Sequence, residues 1–368
     1  NLYPGGVAKL DDDLFPPTHT PHNPNLSTPC FTQSDSLSTL DNFAALLMAS
    51  FSFARAGAAS IPLHHVYLPP VPVPPTPPPV LLLYIHGLDS SHTTWLPFLD
   101  VDDDASAPFY RSFPSYAVDL RGHGESALGE PSLFSPESVA GDLVDFLADV
   151  STKPPFSPPS ETTVPPKVVV CGHSMGGRVA MLVAAKVCAS PPPSLPFVLS
   201  RIVVEDMDVK KRTPPFSVTW SSQPSAFDRS FSSSSSCVDE LIKAGYEEKR
   251  VKDWVVDKRI RQKDDGSWWS DVNPQARSLS YERILGSDCG EEAMETIREE
   301  EWQENVTLVV AGGSGPRGTV CDKESLEKMK RRLRGLDYLV VEAAGHSIHK
   351  THKSEFGGIL DLVCKQVS

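Results

Sequence analysis

The segment that most constrains this chain is Lys167–Ala189, where two apolar stretches meet at a serine without any proline. Lys167–Cys171 has the length and composition of a buried parallel strand. Met175–Ala189 is almost wholly apolar, which predicts a buried helix. Between them lies Gly172-His-Ser-Met-Gly176, whose small residues let the backbone turn sharply from strand to helix. Such a turn exposes the hydroxyl of Ser174.

Short apolar runs of this kind recur along the chain. We predict strands at His64–Leu68, Val80–Ile85, Ser115–Asp119, Lys167–Cys171, Arg201–Glu205, Val306–Ala311 and Tyr338–Glu342. Helical patterns lie between several of them. Ser135 precedes Pro136 as the N-cap of one helix, and further helices are predicted at Ser325–Leu333 and Ser354–Val367. Strands alternating with helices predict an α/β fold with a doubly wound, mostly parallel sheet.

The same patterns divide the chain into four segments. Residues 1–60 are rich in proline, serine and threonine, which predicts a poorly ordered N-terminal segment with one helical pattern at Leu40–Met48. Residues 61–209 and 305–368 form the first and last parts of the α/β core. Residues 210–304 show no clear strand and carry charged, helical sequence. We therefore predict a helical cap insertion over the end of the sheet where α/β folds bind ligands.

Composition excludes several classes of partner. The formal net charge of −13 is unsuited to nucleic acid or an anionic membrane surface. No run of about 18 apolar residues is present, so we predict no membrane span. Seven widely spaced cysteines without a CxxC pair argue against a disulfide framework or zinc site and favour an intracellular compartment. The chain begins at Asn1, so a missing targeting peptide carries no weight, and oligomeric state stays open.

A serine hydroxyl is a weak nucleophile, so Ser174 needs a neighbouring base. The candidate is His346 in Glu342-Ala-Ala-Gly-His-Ser347, which follows the last predicted strand and precedes the C-terminal helix. His349 is a rival, but it lies one helical turn further on. The order serine, acid, histidine along the chain is that of a known class of catalytic triads.

The chain resembles the serine-type α/β-hydrolase superfamily in four motifs that occur in the family's order: His86-Gly87, Asp119-Leu-Arg-Gly-His-Gly-Glu-Ser126, Gly172-His-Ser-Met-Gly176 and Ala344-Gly-His346. The resemblance covers residues 61–368. Asp265-Gly-Ser-Trp-Trp269, followed by Asn273-Pro274, is similar to the cap of the abhydrolase domain-containing 11 branch of esterases. This second match is short.

The resemblance implies an α/β-hydrolase fold with an oxyanion hole built from the backbone N–H groups of Leu88 and Met175. It implies neither a cofactor nor a metal. The family's common position for the acid follows Val306–Ala311, but Gly312–Thr319 contains no carboxylate.

The preceding strand offers another position for the acid, because it continues into Asp206-Met207-Asp208. The abhydrolase domain-containing 11 branch and the protein phosphatase methylesterases place their acid at this earlier strand end. We therefore expect Asp206 to be the acid, with Asp208 as the second choice and Asp322 as the third. Asp322 also fits the N-cap of the next helix.

The resulting expectation is a serine hydrolase that cleaves a carboxylic ester or thioester, of the acyl-ester or acyl-CoA type, through an acyl-enzyme. A protein-carboxyl methylesterase and a monoacylglycerol lipase are alternatives. A non-catalytic α/β-hydrolase-fold receptor or scaffold is an alternative of another class. A weaker hypothesis assigns coenzyme A phosphates to basic cap residues, which are Lys249, Arg250, Lys252, Lys258, Arg259, Arg261 and Lys263.

Overall fold

The structure is a computed structural model and describes residues 2–3, 7–8, 60–71, 80–99, 107–156, 165–189, 195–215, 220–223, 225–313 and 319–368. Most of the predicted N-terminal segment 1–60, including the predicted helix Leu40–Met48, lies outside the described residues. Within the described ranges, no helix combines the length and the apolar character that crossing a membrane requires.

A nine-stranded sheet forms the centre of the molecule. Its strands are β1 (Leu2–Tyr3), β2 (Val7–Ala8), β3 (His65–Leu68), β4 (Val80–Ile85), β5 (Ser115–Val118), β6 (Lys167–His173), β7 (Val198–Glu205), β11 (Val306–Ala311) and β12 (Asp337–Val341). They are ordered β1-β2-β12-β11-β7-β6-β4-β5-β3. The strands from β12 to β5 in that order are parallel, and β3 and β2 pair antiparallel at the two sides. The predicted mostly parallel sheet is confirmed.

Ten α-helices accompany the strands. They are α1 (Leu96–Leu99), α2 (Pro136–Ser151), α3 (Met175–Cys188), α4 (Ser234–Lys243), α5 (Glu248–Val256), α6 (Pro274–Ser280), α7 (Cys289–Glu299), α8 (Lys323–Arg332), α9 (Ile348–Thr351) and α10 (Lys353–Val367), counted over the described residues. Four 3₁₀-helical turns are His92–Thr94, Phe109–Ser112, Pro131–Leu133 and Gln303–Asn305, and Tyr281–Leu285 forms a π-helical turn, again counted over the described residues.

Helices cover both faces of the sheet, which explains why its central strands are continuously apolar. Every residue of β4 is buried. Leu81, Leu83 and Ile85 face the cluster formed with α2, α3, α7 and α8. Leu82 and Tyr84 face the cluster formed with α1, α9 and α10. The layered arrangement places the carboxyl end of the central strand β6 between the ends of β4 and β7.

The predicted helix starts follow local capping chemistry. Ser135 caps α2 and forms a reciprocal pair of hydrogen bonds with Ser138. Asp322 caps α8, where its carboxylate accepts the N–H of Ser325 at 2.8 Å. The predicted bounds of Val80–Ile85 and Val306–Ala311 are confirmed, while the other five predicted strands differ by one to three residues at one or both ends; for example, β6 continues to His173. The ends of an apolar run do not predict the ends of a strand closely, because hydrogen bonding to the neighbouring strands sets where the strand ends.

The prediction that residues 210–304 contain no strand is wrong. β8 (Ser230–Phe231), β9 (Ile260–Gln262) and β10 (Trp268–Ser270) form a separate antiparallel sheet in the order β8-β10-β9. Strands of two or three residues are too short for a period-two pattern to emerge. The turn between β9 and β10 depends on Gly266, whose φ of 84° suits glycine. We use the word cap for residues 220–223 and 225–280, which include this sheet and α4 to α6.

Candidate active site

Ser174 lies between the carboxyl end of β6 and the start of α3, at a strained backbone position. Its φ is 54° and its ψ is −125°, which a residue with a side chain rarely adopts. The Ser174 N–H donates to Glu205 O at 2.9 Å, and Ser174 O accepts the N–H of Gly177 at 2.8 Å. These bonds to β7 and to α3 hold the turn, so its strain is imposed by the surrounding fold.

The glycines beside Ser174 allow three chain segments to meet. A Cβ at Gly172 would lie 2.1 Å from Gly176 O, and one at Gly176 would lie 2.5 Å from His86 O. Both distances are too short for any side chain. The close approach brings the end of β4 against the turn, and a Cβ on Gly87 would lie 3.1 Å from Ser174 Cβ.

The peptide between Gly87 and Leu88 is held from the core by His86. His86 Nε2 accepts the N–H of Leu120 at 3.0 Å, so the ring proton lies on Nδ1, which donates to Gly87 O at 2.7 Å. Burial lowers the pKa of His86 to about 3, which keeps this neutral tautomer. Because C=O and N–H point in opposite directions across a trans peptide, the Leu88 N–H faces away from His86.

Two backbone donors are available next to Ser174. Among the described residues, neither the N–H of Leu88 nor that of Met175 donates a hydrogen bond. Met175 is the first residue of α3, where N–H groups have no partner within the helix. The helix dipole adds partial positive charge at the same place.

Asp206 follows β7 directly, and its buried carboxylate binds His346. Asp206 Oδ2 lies 2.8 Å from Nδ1 of His346, while Asp206 also accepts Thr319 Oγ1 at 2.8 Å and the Val320 N–H at 2.9 Å. Burial raises the pKa of Asp206, but these hydrogen bonds outweigh it and leave the pKa below its ordinary value. The ionised carboxylate therefore favours a proton on Nδ1 and leaves Nε2 of His346 free to act as a base.

The two alternative acids lie elsewhere. Asp208 Oδ1 accepts Arg212 at 2.5 Å, its Oδ2 accepts Ser325 Oγ at 2.8 Å, and Arg178 donates to its backbone oxygen at 2.8 Å. Asp322 caps α8. Neither carboxylate contacts His346, so the structure brings His346 together with Asp206 alone of the three candidates.

The family can now be identified. The sequence profile described as Alpha/beta hydrolase family matches residues 80–356, which is most of the chain. The chain belongs to the alpha/beta hydrolase family.

Solved structures of other hydrolases show the same fold. The peroxisomal alpha-beta-hydrolase Lpx1 of Saccharomyces cerevisiae is 15% identical with a TM-score of 0.54, covering 83% of this chain and 82% of that one. The thioesterase domain from the curacin biosynthetic pathway is 16% identical with a TM-score of 0.52, covering 81% and 94%. A marine microorganism esterase is 18% identical with a TM-score of 0.51, covering 82% and 98%. At these identities the likeness concerns the fold alone.

A curated relative matches over a shorter stretch. Protein phosphatase methylesterase 1 of Mus musculus is 33% identical over 117 residues, which are 32% of this chain. The match spans a quarter of that protein's length. A match over so small a part of both proteins does not assign the relative's activity to this hydrolase.

The hydrolase also contains a contact that the sequence pattern did not single out. His173 Nε2 lies 3.1 Å from His346 O, and the two ring centroids are 4.7 Å apart. His173 therefore joins the turn of Ser174 to the loop of His346. Among the described residues, Ser174 Oγ makes no hydrogen bond; such contacts are often loose without substrate and tighten when it binds. The position of His173 inside the Gly172–Gly176 motif was the one feature of the sequence that could have pointed to this contact.

The basic cap residues mostly serve contacts within the protein. Arg250 donates to the Asp89 carboxylate, and Arg259 donates to the backbone oxygen of Asp89. Other pairs are Arg261 with Asp271 and Glu125, Lys263 with Glu125, Lys249 with Asp253 and Lys252 with Glu248. These engagements weaken the hypothesis that the group is reserved for coenzyme A phosphates.

Proposed function

We propose that this hydrolase cleaves a carboxylic ester or thioester through an acyl-enzyme on Ser174, with His346 as base and Asp206 as the acid of the triad. The observation that carries the proposal is the 2.8 Å contact between the buried Asp206 carboxylate and His346 Nδ1. This pair lies on loops tied to the strained turn of Ser174, since His173 bonds to His346 O.

The reaction follows from the donors and acceptors at the site. His346 Nε2 takes the Ser174 hydroxyl proton while Oγ attacks the carbonyl carbon, and Asp206 stabilises the imidazolium that forms. The N–H groups of Leu88 and Met175 hold the oxyanion of the tetrahedral intermediate. When the intermediate collapses, the leaving alcohol or thiol receives the proton from His346.

Water completes the cycle with the same groups. His346 Nε2 takes a proton from water, whose oxygen attacks the acyl carbon of the acyl-enzyme. Collapse of the second tetrahedral intermediate breaks the bond to Ser174 Oγ, which takes the proton back from His346. The carboxylic acid leaves and Ser174 is restored. No group outside the protein and water is needed for this balance.

A protein-carboxyl methylesterase is the second candidate. It is favoured by the 33% identity to the mouse protein whose name states that activity. A relation to the abhydrolase domain-containing 11 branch rests on Asp265–Trp269, which includes part of the turn after β9 and the first two residues of β10. A receptor or scaffold is supported less well. No carboxylate follows β11, but the contact between Asp206 and His346 supports an acid at the end of β7.

Labelling with a fluorophosphonate probe tests the enzyme proposal. We expect one adduct on Ser174 in the folded protein and none after Ser174→Ala. Ser200→Ala is the matched control, because Ser200 lies in β7, away from the site, and should leave labelling intact. Absence of an adduct in folded wild-type protein would contradict the proposal.

A substrate panel then separates the candidates. It contains p-nitrophenyl esters, acyl-CoA thioesters, a monoacylglycerol and a peptide with a methyl-esterified carboxyl terminus. The substrate with the highest kcat/KM decides between ester, thioester, lipid and methylesterase activities.

A further inference from the structure

Asp89 follows Leu88 directly and has an unusual position for a charged residue. Its φ is 53°, which is strained for a residue with a side chain, and only 2% of the residue is exposed. A buried carboxylate is costly unless charged or polar partners surround it. The partners of Asp89 therefore decide whether the loop can keep this conformation.

All described hydrogen-bond and ion-pair partners of the Asp89 carboxylate come from the cap. Tyr246 Oη donates to Oδ1 at 2.9 Å, while Arg250 and Arg277 lie 3.3 Å and 3.5 Å from Oδ2. Arg259 donates to the backbone oxygen of Asp89 at 2.6 Å. The ring of Tyr246 also carries the Arg277 guanidinium, 4.2 Å from its centroid. The cap thus holds both the side chain and the backbone of this residue.

The Leu88 N–H lies between two anchors. On the core side, His86 Nδ1–H holds Gly87 O at 2.7 Å. On the cap side, Asp89 is held through its carboxylate by Tyr246, Arg250 and Arg277. An oxyanion donor must be fixed within fractions of an ångström before the reaction, because reorganisation during the reaction would cost free energy. The two anchors supply this fixation from two different parts of the molecule.

We propose that Asp89 is a positioning residue that makes the geometry of the oxyanion hole depend on the seated cap. The inference rests on the proposed function, since it takes the Leu88 N–H as an oxyanion donor. When the cap is seated, its contacts with Asp89 place the N–H of Leu88 for the tetrahedral intermediate. When those contacts are lost, the buried charge loses its partners and the loop leaves its strained conformation.

A positioning role and a purely structural role predict different kinetics. If Asp89 only supports folding, its loss lowers the amount of active protein but leaves the turnover of each active site unchanged. If Asp89 positions the Leu88 N–H, its loss lowers kcat for each active site. KM changes little, because the oxyanion exists only in the transition state.

The experiment uses the full chain and counts active sites by end-point fluorophosphonate labelling before kcat is measured. Relative to wild type, we expect Asp89→Asn to lower kcat per labelled site about 10- to 100-fold, which is less than complete loss of one oxyanion donor. Tyr246→Phe should lower it about tenfold. KM should stay within about twofold.

Arg250→Gln and Lys249→Gln form a matched pair on α5. Both remove one positive charge, but Lys249 is exposed and pairs with Asp253. Arg250→Gln should lower kcat per labelled site, and Lys249→Gln should leave it unchanged. If Asp89→Asn does not fold, Tyr246→Phe and Arg250→Gln still test the inference.

Two failures can be told apart. A wild-type protein without a labelled serine would contradict the proposed function itself. Normal labelling together with unchanged kcat per site in Tyr246→Phe and Arg250→Gln would overturn the inference about Asp89 and leave the proposed function standing.

Discussion

Two acid–histidine pairs lie side by side at the carboxyl end of the sheet. Their acids, Glu205 and Asp206, are consecutive residues at the end of β7, and their histidines, His349 and His346, are three residues apart after β12. In both pairs a carboxylate oxygen lies 2.8 Å from Nδ1 of the histidine. The two pairs differ in everything around that contact.

The pair of Glu205 and His349 is closed on all sides. Neither side chain has any exposed surface, and the ring of His349 lies 4.2 Å from that of Trp95. His349 Nε2 faces Thr94 Oγ1 at 3.4 Å, and its backbone N–H donates to Glu205 at 3.0 Å. Both ring nitrogens therefore have partners within the protein, so we expect this pair to have a structural role and no role in the reaction.

The pair of Asp206 and His346 is closed on one side only. Asp206 is fully buried, but 11% of the His346 side chain is exposed. In the described part of the chain, no group forms a hydrogen bond with Nε2 of His346. Both histidines have an acid at Nδ1, so this contact does not distinguish a candidate catalytic base from a structural histidine. The environment of Nε2 distinguishes them, because Nε2 has a partner in His349 and none among the described residues in His346.

The largest effect expected from this comparison is that of Asp206→Asn. The amide cannot stabilise the imidazolium and favours the wrong tautomer of His346, so kcat should fall about 10⁴-fold. Steady-state turnover per labelled Ser174 measures the effect. Near-normal turnover would contradict the role of Asp206 as the acid of the triad.

Glu205→Gln should mainly lower the stability of the protein and should change turnover much less than Asp206→Asn. Removing one charged partner of a fully buried pair should lower the free energy of unfolding by about 3 kcal/mol, measured by urea denaturation. Turnover per labelled site should stay within about tenfold of wild type. A loss as large as that of Asp206→Asn, without loss of stability, would mean that both pairs take part in the reaction.

Thr319→Val should give the smallest effect. It removes one hydrogen-bond donor to the Asp206 carboxylate, so the free energy of unfolding should fall by about 1 kcal/mol at neutral pH. The pKa of Asp206 in the folded protein lies below its ordinary value, so its contribution to stability is complete above about pH 4 and is lost as pH falls through the folded pKa. Without Thr319 Oγ1 the folded pKa rises toward the ordinary value. The stability lost on acidification should therefore be smaller than in wild type, and the loss should be complete at a higher pH.

Urea denaturation between about pH 2 and pH 7 measures this difference. Thr94→Val is the matched control, because the Thr94 hydroxyl lies 3.4 Å from Nε2 of His349, which belongs to the other pair. Its acid-side profile should follow that of wild type. Equal changes in both variants would show that the effect is not specific to the Asp206 carboxylate.

Much of the fold could be predicted because its signals are local. The apolar runs at Val80–Ile85 and Val306–Ala311 are continuous for the length of a buried strand, and the structure has strands at those residues. Asp322 was expected to be an N-cap, and it is one. The cap sheet was missed because β8, β9 and β10 are two or three residues long and gain their stability from pairing with each other.

In the candidate site, too, local features could be predicted from the sequence and long-range contacts could not. The turn of Ser174 could be predicted because Gly172 and Gly176 lie beside it in the chain. The cap contacts of Asp89 could not, since Tyr246 is 157 residues away and reaches Asp89 only through the packing of the cap.

Sequence by itself determined the α/β alternation, the exposed serine turn and three candidate acids, all of which depend on neighbouring residues. Tertiary structure decided which acid meets His346, because residues 206 and 346 are separated by 140 positions and come together only where β7 and β12 end at one edge of the sheet. It also decided that His346, and not His349, has an open ring nitrogen. Local sequence specifies backbone conformation, whereas burial and distance between remote side chains are properties of the assembled core.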